Sequence, residues 1–170
     1  NLTVSAQGSL EINSVVLTDA IPAGTTYKAG SLKILSVAKT DATGDDTASY
    51  ASGTARFHLG AGATASSAGV GGTISPLSAG VCPGGKVCSA NVQFKVTVNA
   101  GLAQGTQISN QGLVNYVPFG TAVTLQEKSN VTKAVVDYQP AIATTKVPSP
   151  TTALVGQTIT YTFDVTNPGK

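Results

Sequence analysis

Few residues in this chain can carry reactive chemistry, and their types and spacing narrow it further. The one histidine, His58, lies in the run Thr54-Ala-Arg-Phe-His-Leu59. A hydrolase centre needs a nucleophile, a base and a group that orients the base. Here the alternation sets Phe57 and Leu59 on one face of a strand and Arg56 and His58 on the other, so His58 reads as a solvent-facing or interface residue. No carboxylate pair stands in an acid–base context, and neither a phosphate loop nor a metalloprotease motif occurs. The expectation is a protein that is not an enzyme, with no catalytic residues and no cofactor beyond a Ca²⁺ candidate.

That candidate is the acidic cluster Asp41, Asp45 and Asp46 around Gly44. Hard carboxylate oxygens at a tight turn are the ligand type Ca²⁺ takes. The spacing is not that of an EF-hand loop, and a solvated turn in which Asp45 or Asp46 accepts backbone N–H bonds is the preferred reading. Asp19, ahead of Ala-Ile-Pro22-Ala-Gly24, is expected to fix a corner by bonding backbone amides. Lys146 with Asp164 or Asn167 has the functional groups of an isopeptide cross-link, given a buried acid. Asn1-Leu-Thr3 and Asn130-Val-Thr132 fit the N-glycosylation pattern. Tyr116 and Phe119 could line a ligand groove or pack in a core.

The cysteines are two, Cys82 and Cys88, with no histidine near them. A pair alone is too few ligands for zinc. The intervening Pro83-Gly84-Gly85 turn can bring the two Cβ atoms together, so a disulfide is expected, with a pair of reduced thiols as the alternative. Closing so short a loop stabilises by about 2 kcal/mol. A disulfide also places the chain outside the reducing cytoplasm.

The elements that must position these groups are strands. The 170 residues include 23 Thr, 19 Val, 19 Gly and 15 Ser, but no Met or Trp. Charged residues make up 11% of the chain, against roughly 25% in soluble domains. A net charge of +2 gives little electrostatic footprint for nucleic acid. No apolar run approaches the ~20 residues of a membrane helix, so this segment is not expected to insert in a membrane. No segment holds a 3.6-residue apolar period, and the Thr and Val content disfavours helix. Strand signals cover residues 13–18, 31–37, 90–98, 107–117 and 121–136, with a hairpin or sheet-switching corner at 118–120, and two more strands lie within 147–166 around Val155-Gly156. In 90–98, Val92, Phe94, Val96 and Val98 fall on one face. Residues 60–72, small-sided and Gly-rich, read as a surface loop; residues 146–152 read as an extended boundary. Residues 1–9 lie over 162–170 at an offset of 161, matching Leu2 to Phe163 and Val4 to Val165. Without an initiator Met or signal peptide, the start has been removed or the chain is a segment of a longer one.

Pro148 to Gly169, with its Gly156 turn, its Tyr161-centred strand and its Asn167-Pro-Gly169 end, resembles the opening of the conserved repeat domain of prokaryotic cell-surface proteins (domain of unknown function eleven). Val15 to Tyr27 resembles that family's Asp-x-x-Pro-x-Gly corner. Asp41 to Tyr50, Val92 to Val98 and Asn110 to Tyr116 are similar to longer members. The resemblance implies an immunoglobulin-like antiparallel β-sandwich, arrayed in tandem on cell surfaces. It implies also that the first strand is missing from residues 1–138, and that residues 139–170 are a linker plus strands of the next repeat or donor strands. The Cys82–Cys88 loop departs from the family pattern.

A sandwich that begins in mid-strand exposes an unpaired edge, which another chain can complete. The C-terminal strand pair, with Ile142, Val147, Val155, Ile159, Tyr161, Phe163 and Val165, is the candidate to complete a neighbouring unit by β-strand addition. The expected partner is the chain itself, as a head-to-tail homopolymer, and the expected function is a structural subunit of an extracellular filament or surface stalk, its units joined by β-strand complementation or as covalent tandem repeats. The alternative is an adhesin module that binds a surface ligand through its loops.

Overall fold

The computed structural model describes residues 1–65, 70–138 and 142–167. Among the described residues every regular element is a strand: β1 (Leu2–Ser5), β2 (Ile12–Ala20), β3 (Thr25–Tyr27), β4 (Lys33–Ile34), β5 (Val37–Ala38), β6 (Ala48–Ala51), β7 (Thr54–His58), β8 (Gly72–Ile74), β9 (Ser89–Gln93), β10 (Val96–Val98), β11 (Gln107–Asn110), β12 (Gly112–Pro118), β13 (Leu125–Lys128), β14 (Thr132–Val135), β15 (Ala143–Ser149) and β16 (Thr160–Thr166). The chain divides into two compact units. The first holds Asn1–Leu102 and Gln107–Ala134; the second holds Ala103–Thr106 and Val135–Lys170.

In the first unit two antiparallel sheets close over one core. One sheet runs β1-β9-β4-β5 and the other β13-β12-β2-β7-β6, with β8 also on β2. β2 is central because both its edges are taken, by β12 on one side and by β7 and β8 on the other. Its side chains alternate as a two-residue period requires: Val15, Leu17 and Asp19 are buried, while Val16 and Thr18 are half-covered. Phe57 of β7, Leu17 of β2 and Val92 of β9 meet in the core, exposed by no more than 1%. A bulge interrupts β2 at Ser14, whose φ is +53°, and the ladder register slips there against β8.

Three expectations change here. Residues 60–72 are not all surface loop, for Gly71 and Gly72 are buried and Gly72 opens β8. A Cβ on Gly71 would lie 2.2 Å from the carbonyl oxygen of Val15, so only glycine lets the two backbones approach this closely. Residues 66–69 of that stretch lie outside the described residues. The strand expected over 90–98 breaks at Phe94-Lys95. β9 stays in the first sheet while β10 pairs with β3, leaving Val96 and Val98 exposed. The break is held by Lys95, whose N–H donates to Ser31 Oγ (3.0 Å) and whose carbonyl accepts from Lys28 N (2.9 Å). The strand expected over 31–37 is a hairpin. β4 pairs with β5 through Leu35 and Ser36, both at positive φ (49° and 68°), as a two-residue turn matched to strand twist requires.

Residues 107–136 divide into four strands. β12 and β13 pair as a hairpin around the turn at Pro118-Phe119-Gly120, with Thr121 N donating to Pro118 O at 3.1 Å, and β11 pairs with β14. In the second unit Val136 N donates to Thr106 O (2.9 Å) and Gly105 N to Val136 O (2.8 Å). β15 and β16 form an antiparallel hairpin from Ala143↔Thr166 to Ser149↔Thr160. Lys146 to Ser149 are therefore strand rather than boundary.

Candidate functional site

The cysteines form the expected disulfide, Cys82 to Cys88, with Cα atoms 5.7 Å apart. The three aspartates of the cluster take up turn contacts and do not come together as a metal-holding group among the described residues. Asp41 accepts from Tyr27 Oη (2.6 Å) and Gly30 N (2.9 Å). Asp45 accepts from Thr40 Oγ1 (2.6 Å), and Asp46 from Thr40 N (2.9 Å) and Ala48 N (2.7 Å). The oxygens are aimed at amides and hydroxyls, those of Asp41 at Tyr27 and Gly30 and those of Asp45 and Asp46 at the connection between β5 and β6, as in the solvated-turn alternative.

Asp19 also differs from expectation. The corner after it is fastened by Pro22 O, which accepts from Thr25 N (3.1 Å) and Thr25 Oγ1 (2.7 Å). The Asp19 carboxylate faces inward, 1% exposed, and accepts from Asn110 Nδ2 (3.0 Å), tying β2 to β11. Its Oδ1 has no partner among the described residues. Burial raises its pKa above 3.8, and the Asn110 bond works against that shift.

His58 Nδ1 donates to the Thr64 carbonyl at 2.8 Å, which orients the ring within its own loop. Lys146 sits over the rings of Tyr161 and Phe163, 4.3 and 5.2 Å from their centroids. Because Lys146 is opposite Phe163 in the ladder and Asp164 opposite Thr145, Lys146 and Asp164 point to opposite faces of the hairpin. Asn167 lies beyond the end of β16. The isopeptide pairing of Lys146 with Asp164 is thereby corrected. Asn1 and Asn130 are both exposed, as a glycan acceptor must be.

Two apolar surfaces remain. On the first unit a groove of about 580 Å³ runs along β1, from Leu2 to Gln7. Leu2, Val4 and Ala6 form one wall, Ile12 and Leu17 of β2 the floor, and Val114 and Tyr116 of β12 the other wall. Tyr116 packs against the core and also lines the groove, whereas Phe119 is 58% exposed on the β12–β13 turn and does neither. β1 and β13 are both outermost in their sheets, so the groove opens between two strand edges. Glu11, Glu127 and Lys128 stand at its rim. Glu11 is engaged by Ser75 Oγ (2.8 Å) and Lys86 Nζ (3.2 Å), which hold its carboxyl below its ordinary pKa of 4.5.

On the second unit the hairpin has one apolar face. Tyr161, Phe163 and Val165 alternate along β16 with Thr160, Thr162, Asp164 and Thr166, and are 50%, 63% and 69% exposed. Val147 sits on the other face of the hairpin, opposite Thr162. Val155 is in the turn, where Gln157 N donates to Leu154 O (3.0 Å). Ile142 and Ile159 precede β15 and β16. Residues 1–12 gave no signal of a groove at the sequence level, because its walls come from segments more than 100 residues apart.

Comparisons with protein-family models, with curated proteins and with solved structures gave no match.

Proposed function

We propose that this chain is a structural subunit of an extracellular filament or surface stalk, assembling head to tail with copies of itself. The observation that carries the reading is that one chain bears two surfaces suited to a β-strand joint. The first unit has an apolar groove beside the open edge of β1, and the second has an amphipathic strand whose apolar face is uncovered. Open edges pair with other strands, and contiguous exposed apolar faces mark interaction surfaces. A donor and an acceptor on different surfaces make a heterologous contact, which propagates unless it closes into a ring.

Supporting features are the disulfide, which fits an oxidising exterior, and the low charge of 11%, which leaves little repulsion between packed copies. The resemblance to the conserved repeat domain of prokaryotic surface proteins, immunoglobulin-like and arrayed in tandem, belongs to the same proposal. Electron microscopy of the purified full chain is the test. Fibres or linear oligomers formed without any added ligand are expected. Particles of single-subunit size throughout would overturn the reading.

A further inference from the structure

We propose that the strand added to the open edge of β1 is β16 of a second copy, entering as part of the intact β15–β16 hairpin with Tyr161, Phe163 and Val165 in the groove. This inference rests on the head-to-tail reading and names its donor. Two observations select β16 over β15, and its length, its open edge and the charge of the hairpin fit the same docking. Its apolar residues fall on one face at every second position, as a strand laid over an apolar groove needs. β15 offers that face only Thr144, Lys146 and Pro148. The groove follows β1 and the two residues after it, Leu2–Gln7, about 20 Å if extended, and the seven residues of β16 span about 23 Å.

Among the described residues β16 pairs with β15 alone, which leaves its outer edge open. Docking therefore joins two open edges without breaking a ladder, giving the sheet order β15-β16-β1-β9-β4-β5. Charge is complementary as well. The hairpin's apolar face carries Lys146, while the rim carries Glu127 in addition to Lys128 and to Glu11, which already holds Lys86. In the joint the Lys146 ammonium, which lies over the rings of Tyr161 and Phe163 in the free hairpin, turns to Glu127.

The experiment mixes two single-site variants, so that only contacts between copies are read. The native cysteines are paired with each other and none is free. Thr3→Cys on β1 is mixed with Thr162→Cys or Asp164→Cys on β16, and separately with Thr145→Cys or Val147→Cys on β15, under mild oxidation. Covalent dimers are expected with the β16 probes and not with the β15 probes. Dimers with the β15 probes alone would overturn the assignment of β16 and leave head-to-tail assembly standing. Absence of any dimer while the parent chain self-associates would overturn β16 docking; absence with a parent that stays monomeric would overturn both. Phe163→Asp gives a second readout. Because Phe163 is 63% exposed, the thermal midpoint is expected to hold while association weakens at least about 100-fold. Unchanged association would contradict the proposal.

Discussion

Two ionisable side chains report most directly on how the first unit is held together. Asp19 is buried and its pKa is raised above 3.8, with burial the dominant cause. A raised acid favours the protonated form in the fold. Its contribution is full below pH 3.8 and is lost as pH rises through the folded-state value. Asp19→Asn is expected to flatten that part of the pH–stability curve, and an unchanged slope in thermal melts across the same window would count against it. Asp19→Ala strands the Asn110 amide and is expected to cost about 1–3 kcal/mol. Tyr27 is pushed up to about 12, first by burial and then by its bond to Asp41. It stacks on Tyr50 with centroids 3.9 Å apart. Stability from Tyr27 is therefore held below pH 10 and lost as pH rises through about 12. Tyrosinate absorbance checks this: one of the five tyrosines should ionise late, and Asp41→Asn should bring it part of the way back. Simultaneous ionisation of all five would contradict the assignment.

At the scale of elements, the sharpest test is steric. An alanine at Gly71 would put its Cβ 2.2 Å from Val15 O, and one at Gly72 would put it 2.4 Å from Ala61 O. Both obstacles are backbone, so Gly71→Ala is expected to lose more than about 3 kcal/mol in denaturant unfolding. Replacing both Cys82 and Cys88 by Ser should cost about 2 kcal/mol, because the loop they close is short. The same elements show what a reader of the sequence can and cannot see. Val15 and Leu17 mark β2, and Phe57 and Leu59 mark the face of β7, because burial on one face leaves a two-residue period, whereas Asp19, which reads as a corner, continues the buried face of β2. Gly71 and Gly72 look like loop because glycine has no side chain to show burial; their meaning comes from β2 lying against them. Leu35-Ser36 forms a tight turn without Gly, Asn or Asp, so nothing local announces it. Phe94-Lys95 breaks an unbroken alternation because Ser31 and Lys28, more than 60 residues earlier, take its backbone groups.

For the whole molecule, the decisive contrast is between the two units. The first buries Phe57, Leu17 and Val92 in a core of its own. Every residue of β16 is exposed. A lone hairpin is marginal in water, and exposed Tyr161, Phe163 and Val165 gain stability only by being covered. That half of the joint is legible in the alternation of residues 160–166. The groove is not, because Val4 and Val114 meet only after folding. The central claim is that these surfaces recognise each other between copies, and sedimentation velocity of the full chain over a dilution series tests it most directly. Head-to-tail assembly predicts a weight-average sedimentation coefficient that climbs with concentration and does not level off at a dimer. A single monomeric boundary at every concentration would contradict it.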